Sequence, residues 1–185
     1  MSQQLTIRFR NAMSSLASPV LILTTPSHKG ATLSSVTSLS INPSPLIQFN
    51  LMKPSTTSTN LHEQGIFALH ILPPVTKSGR LARLFGKNGY FDKEKNAFVP
   101  VSPFKDLVKG VDYQTVKVPG GVELPVLKTA ERVLLCKKEE VFGVQDHEIW
   151  VGKVLDVLEF SEGVKTGGLI NFNRSFHKIA DDDLN

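Results

Sequence analysis

The chain has a single cysteine, Cys136, among 185 residues. One thiol excludes an internal disulfide and any metal site built from several cysteines, and it suits a reducing compartment. Long apolar runs are missing too. The stretch Val20 to Leu23 falls far short of the roughly 20 residues that a membrane-spanning helix needs, so no span is expected. There is no glycine-rich phosphate loop, no metal-spaced cluster of His and carboxylates, and no nucleophile elbow. No metal site is therefore expected. Internal repeats and linker-like stretches are also lacking, which points to one domain over residues 1–185 with enough chain to bury a core. These absences leave binding chemistry rather than an acid/base or nucleophile set.

Acidic residues are scarce in one place in particular. No Asp or Glu precedes Glu63, while Ser and Thr are dense over that stretch, and the net charge of the whole chain is +4. An acid-poor, Ser-rich start is one mark of a mitochondrial transit peptide. The strand-like run at Val20 leaves little room for such a leader, so a cytoplasmic location is expected, with a mitochondrial one as the alternative. Nucleic acid is not an expected partner, because Lys and Arg are scattered and no recognition motif accompanies them. An anionic small ligand fits better. Carboxylates near it would repel, and hydroxyls would donate.

The pattern along the chain is mainly β. Ile7, Phe9, Ala12, Met13 and Leu16 recur at helical spacing and predict a helix over Thr6 to Ala17, ended by Ser18-Pro19. Val20 to Thr25 reads as a buried strand, Pro26 to Gly30 as a turn, and Ala31 to Ile41 as a second strand. Leu46 to Leu51 and Gly65 to Leu72 are further strands, and Thr76 to Phe85 is a short helix. Residues 86 to 123 hold no period for long and read as loop with short elements, a candidate cover over a site. Two long strands, Arg132 to Phe142 and Glu148 to Phe160, follow around a turn at Gly143 to His147. Gly163 to Gly168 is another turn, and Leu169 to Ile179 closes the fold. Many strands, few helices and hairpin-length turns favour an antiparallel barrel or sandwich.

Four features carry chemistry, each beside a plainer reading. The strand Thr32 to Ser38 has small hydroxyl residues on both faces, which would let a flat ligand approach the backbone; a solvent-washed edge strand would look the same. The run Lys53 to Asn60, with a helix expected to start at Asn60, offers hydroxyls and amides to a phosphate. Ser and Thr are equally good helix caps. Arg80 and Arg83 share a helix face that is either anion-binding or simply solvated. His177 lies in an aromatic and basic closing segment, whereas His70, inside an apolar strand, reads as a hydrogen-bonded core residue.

Taken in order, several short motifs resemble those of the flavin reductase-like family. Phe9-Arg10-Asn11-Ala12-Met13, Leu16-Ala17-Ser18-Pro19-Val20 and Thr24-Thr25 match its opening. Thr32 to Ser40 matches its T-A-S-S-F-T-S-V-S strand, with Asn42-Pro43-Ser44-Pro45 for the loop that follows. Lys53-Pro54-Ser55-Thr56-Thr57 nearly repeats K-P-S-S-T, and Gly65-Ile66-Phe67-Ala68-Leu69-His70 matches G-x-F-A-V-N. Asp146-His147 with Gly152-Lys153-Val154, then Phe176-His177-Lys178-Ile179, complete the series across nearly the whole chain.

The resemblance implies an FMN-binding split β-barrel, antiparallel and Greek-key-like, with a few peripheral helices. It implies FMN, with FAD as the alternative, and NAD(P)H as the electron donor to flavin N5. Flavin contact carries over to Thr32, Leu33, Ser34 and Ser35, and phosphate contact to Ser55, Thr56 and Thr57 with Lys53 nearby. Asn50 and Arg83 are looser flavin-binding matches, and His177 matches a histidine on the nicotinamide side. A homodimer and a partner oxygenase are implied as well. Leu33 stands where alanine is usual and His70 where asparagine is usual, and residues 86 to 123 match poorly. A flavin-binding protein without a nicotinamide pocket, and a pyridoxamine-phosphate oxidase relative, share the same barrel and remain open at this point.

Overall fold

Short apolar runs broken by Pro, Gly and Asn give mostly short strands, joined by two long ones and three helices. The computed structural model describes residues 3–87, 90–92, 94, 96–99, 102–160, 163 and 165–180. In chain order its elements begin with α1 (Gln3–Ser14), β1 (Ser18–Pro19), β2 (Leu21–Thr24), β3 (Gly30–Leu33), β4 (Thr37–Ser40) and β5 (Leu46–Met52). Then come α2 (Thr56–Gln64), β6 (Ile66–Ile71), α3 (Thr76–Phe85), β7 (Tyr90–Asp92), β8 (Ala97–Val99) and a 3-10 turn at Pro103–Asp106. The chain continues through β9 (Tyr113–Lys117), β10 (Glu123–Leu127), β11 (Arg132–Val144), β12 (His147–Glu159), β13 (Ile170–Phe172) and β14 (Ser175–His177).

Seven strands form one antiparallel sheet in the order β3-β2-β6-β11-β12-β5-β4. Its edge strands β3 and β4 are consecutive in the chain, joined only by Ser34 to Val36. So short a link can join the two edges only if the sheet rolls until they approach, and the result is a barrel split between β3 on one side and β4, with the Asn50 to Met52 end of β5 that β4 leaves uncovered, on the other. The link is fastened across that split: the Asn50 amide donates to Ser35 Oγ at 2.9 Å.

Strand alternation sorts the apolar side chains into two cores. Leu21, Leu23, Phe49, Phe67, Leu69, Cys136 and Trp150 fill the barrel. Ile22, Ala68, Leu72 and Val133 point outwards from it and are covered by Leu81 and Phe85 of α3 and by Phe104, Tyr113, Leu124 and Val126. Each such side chain contributes about 1.5–3 kcal/mol on burial. Thr24 Oγ1 donates to the Pro125 carbonyl at 2.7 Å and ties the β9–β10 hairpin to β2.

Several expectations shift. The strand expected over Ala31 to Ile41 is two strands on opposite edges, because nothing in its hydroxyl-rich pattern marks the crossover. Of the cover expected over residues 86 to 123, Gly86 and Lys87 do line clefts, residues 88, 89, 93, 95, 100 and 101 lie outside the described residues, and Phe104, Tyr113 and Val118 belong to the outer core with Leu81 and Phe85 of α3. Helix α1 ends at Ser14, and Leu5, Ile7, Phe9 and Met13 of its amphipathic face stay at least half exposed. The hairpin turn shrinks to Gln145-Asp146, because β11 and β12 keep pairing as far as Val144 and His147.

Candidate functional site

Helix α2 begins at the mouth of the split. The Ser55 backbone is extended and its side chain accepts a hydrogen bond from the Ser58 amide at 3.3 Å, so Ser55 is the cap and the helix starts four residues before the expected Asn60. Asn60 is within the helix, where its Oδ1 accepts from Thr25 Oγ1 at 2.9 Å. The amides of Thr56 and Thr57 belong to the first turn and have no helical carbonyl to bond. Thr57 Oγ1 donates to the Gly30 carbonyl at 3.0 Å, joining α2 to β3. The Ser55 hydroxyl accepts its capping bond and keeps its own hydrogen to give.

Behind α2 the helix is held by a buried carboxylate. Glu148 on β12 accepts from Ser58 Oγ, from Trp150 Nε1 at 3.2 Å and from His62 Nε2 at 3.0 Å. Burial pushes the Glu148 carboxyl up, but the hydrogen bonds from Ser58, His62 and Trp150 outweigh it and hold the group below its ordinary range. Ser58 and His62 are one helical turn apart, so one carboxylate fixes both the position and the roll of α2.

Two clefts open on this frame and meet at Thr32. The first is walled by Gly30 to Leu33 of β3, Asn50 to Met52 of β5, Pro54 to Thr57 and Lys87. None of these residues is acidic, and the cleft has hydroxyls, first-turn amides and one ammonium along its walls. The second is lined by Val20, Thr32, Ser34, Ala82, Arg83, Gly86, Asn171 and Phe176. Thr32 Oγ1 donates to the Ala82 carbonyl at 2.7 Å and locks β3 to α3 between the two. The Arg83 guanidinium lies 5.2 Å from the centre of the Phe176 ring, a cation–π contact at the cleft wall.

The hairpin of β13 and β14 sets which side chains face the second cleft. Asn173 and Arg174, at φ 46 and 62, make a two-residue turn with both residues in the left-handed region. That register pairs Asn171 with Phe176 on the cleft side, and Ile170 with His177 on the other. His177 is exposed and its ring meets Phe172, with centroids 5.8 Å apart.

Of the residues expected from the sequence, Thr32, Leu33, Asn50, Ser55, Thr56 and Thr57 come together in the first cleft. Thr32, Ser34 and Arg83 line the second. Ser35 lines neither, and its hydroxyl oxygen accepts from the Asn50 amide. Lys53 is also outside both; its backbone amide donates to the Asp146 carbonyl at 2.7 Å, and its ammonium lies beside Gly143. His177 is outside both within one chain. Leu33 packs into the barrel and is 3% exposed, so its side chain does not crowd the cleft and only its backbone is offered there. His70 is buried, with Nδ1 donating to the Ile22 carbonyl at 2.8 Å; burial lowers its pKa to about 4, so it is a neutral core residue.

Sequence reasoning missed Gly30, Met52 and Lys87 in the first cleft and Asn171 and Phe176 in the second. Phe176 had a signal: on a strand it must face opposite to its neighbour His177. Lys87 had one as well, a cation directly after the helix that carries Arg83.

The sequence profile of the flavin reductase like domain matches residues 13–180 of this chain. Among solved structures, a flavin reductase domain protein from Arthrobacter sp. FB24 is 20% identical over 96% of this chain and 98% of its own, with a TM-score of 0.74. The Streptomyces globisporus C-1027 NADH:FAD oxidoreductase SgcE6, in complex with NAD and FAD fragments, is 20% identical over 98% and 97%, with a TM-score of 0.72. The styrene monooxygenase flavin reductase of Pseudomonas putida S12 is 20% identical over 93% and 97%, with a TM-score of 0.67. At these identities the structural likeness speaks for the shared fold, and it is the match along the sequence, from the first helix to the closing hairpin, that makes this chain a member of the flavin reductase-like family.

Proposed function

We propose that the protein is an NAD(P)H-dependent flavin reductase that binds FMN, with FAD as the alternative, in the first cleft and receives the nicotinamide from the second. The observation that carries this reading is the meeting of the two clefts at Thr32: one ends in a capped helix N-terminus free of carboxylates, and the other has an arginine and an aromatic ring. Bound flavin supplies the redox chemistry, accepting a hydride from the reduced nicotinamide and passing the electrons on.

The residues present fit a phosphorylated flavin. The first-turn amides of Thr56 and Thr57 and the Ser55 hydroxyl are donors without an acceptor among the described residues, and a helix N-terminus favours an anion. Backbone of Gly30 to Leu33 on one side and Asn50 to Met52 on the other makes a slot for a flat ring system. Arg83 and Phe176 give the second cleft a cation and an apolar face, which suit a nucleotide that carries both phosphate and a planar ring. The chain's part is to hold two partners at a fixed separation, and Thr32 on its 2.7 Å bond to Ala82 is the hinge-free wall between them. His177 positions the nicotinamide only if the outer face of its hairpin is brought to the cleft of another copy.

The exposed apolar face of α1 suits a second copy of the chain, so a homodimer belongs to this reading. So does a partner oxygenase as the consumer of reduced flavin, the role indicated by the name of the styrene monooxygenase flavin reductase. Purified protein titrated with FMN and then mixed with NADH or NADPH without oxygen tests the reading. Flavin binding with no reduction would leave a flavin-binding protein, and reduction by pyridoxamine phosphate alone would make it an amine oxidase.

A further inference from the structure

We infer that Lys87, rather than Lys53, is the cation that pairs with the flavin phosphate. The inference rests on the proposed flavin-binding reading of the first cleft and deepens it at one residue.

A phosphate dianion at the start of α2 is bound by amides and hydroxyls, and a positive charge beside it strengthens the binding further. The run Lys53-Pro54-Ser55-Thr56-Thr57 suggests Lys53 for that charge by proximity in sequence. The fold separates them. Lys53 ends the strand side of the run, where its backbone is tied to the Asp146 carbonyl, its ammonium lies beside Gly143, and the Asp146 carboxylate acts on it electrostatically. It lines neither cleft.

Lys87 comes from the other wall. It follows α3 directly, and its amide bonds the Leu84 carbonyl at 3.4 Å, so its backbone is part of the helix end. That helix end is fixed against β3 by the Thr32–Ala82 bond, and Lys87 lines the same cleft as Ser55 to Thr57. It is the one cationic residue lining this cleft among the described residues, and no carboxylate lines it. Its ammonium has no ion-pair or hydrogen-bond partner among the described residues, and the side chain is exposed. An unpaired ammonium on the wall of a carboxylate-free cleft that also holds a helix N-terminus is arranged for an anion.

Thr57 sharpens the assignment. Its hydroxyl hydrogen is given to the Gly30 carbonyl, so it cannot donate to a ligand while that bond holds. The phosphate end therefore has the Ser55 and Thr56 hydroxyls, two amides and Lys87, and loss of the only charge among them should be felt strongly.

Fluorescence titration of the full chain with FMN and with riboflavin, which lacks the phosphate, tests this, with melting curves on the same preparations. Lys87→Ala should weaken FMN by about tenfold or more, the size of one charge-assisted hydrogen bond, and riboflavin by less than about twofold. Lys87→Arg should restore most of the FMN affinity. Lys53→Ala should change either affinity by less than about twofold. Unchanged FMN affinity in Lys87→Ala, or equal losses for both flavins, would overturn the inference while leaving the flavin cleft in place. Equal binding of FMN and riboflavin by the unaltered protein would overturn it together with the phosphate placement. Binding of neither flavin would remove the functional reading as well.

Discussion

Thr32 Oγ1 gives its hydrogen to the carbonyl of Ala82 at 2.7 Å, and by that one bond the edge strand β3 is fastened to helix α3. The first cleft lies on one side of it and the second on the other. Everything the site needs from α3, Arg83 in one cleft and Lys87 in the other, is positioned through this contact.

The double use of Ser55, as helix cap and as phosphate donor, can be separated by substitution. Ser55→Ala should cost about 1 kcal/mol of stability, and Ser55→Gly only a few tenths, because glycine is a tolerable cap. Both remove the hydroxyl, so both should weaken FMN by about 1.5–3 kcal/mol. Chemical denaturation and FMN titration on the two variants check this. FMN losses that follow the stability losses would make Ser55 a cap and nothing more.

Gly30 is required by crowding. A Cβ there would lie 2.3 Å from the Leu23 carbonyl oxygen and 2.8 Å from Phe85 Cδ1. Neither neighbour can withdraw easily, the first being backbone and the second a buried ring. Gly30→Ala should therefore destabilise the fold by about 1–3 kcal/mol and also loosen the carbonyl that holds Thr57. Urea unfolding with and without FMN reads both effects, and a variant as stable as the parent would contradict this packing.

The sequence announced much of this frame, for identifiable reasons. Helix α3 follows Pro73-Pro74, with Leu81, Ala82 and Phe85 on one face, and its span of Thr76–Phe85 agrees with the reading of the pattern. Strand β6 is similarly plain, because its apolar run is bounded by Gly65 and Pro73. The split was not legible. Ser and Thr on both sides of Ser34 to Val36 conceal that the chain crosses there between sheet edges. The start of α2 was misplaced because five of the residues from Ser55 to Thr59 are able caps, and only geometry tells which one caps. Lys53 and Ser35 were drawn to the site by being next to residues that do line it, and adjacency on a strand or turn does not preserve direction.

Glu148 makes stability depend on pH in a defined direction. Its folded pKa lies below the ordinary glutamate value of about 4.5, so it favours the folded state above that value. The contribution is lost as pH falls through the lower folded value. Glu148→Gln should therefore reduce stability near neutral pH and flatten the decline below about pH 4.5, while its FMN affinity falls because α2 is less well held. Melting temperatures across the acid range test it. An acid limb of unchanged steepness would show that this carboxylate is not what titrates there.

His177 is exposed and its ring makes no hydrogen bond among the described residues, while its backbone pairing with Ile170 survives substitution, so its removal should leave stability within about 0.5 kcal/mol and FMN affinity unchanged. If it positions the nicotinamide from a neighbouring copy, His177→Ala should slow reduction by about 1–3 kcal/mol of barrier, roughly 5- to 150-fold. Single-turnover reduction of the flavin-loaded variant decides. A rate equal to the parent's would remove His177 from the site and leave Phe176, which does line the second cleft, as the side chain of that hairpin to examine.

The central claim is that two clefts joined at Thr32 bring a flavin and a reduced nicotinamide together, and anaerobic stopped-flow mixing tests it most directly. FMN-loaded protein mixed with NADH, with NADPH and with pyridoxamine phosphate should lose its yellow flavin absorbance with at least one of the nucleotides and not with the amine. Persistence of the oxidised flavin colour with both nucleotides, in protein shown to be folded and loaded, would contradict the account.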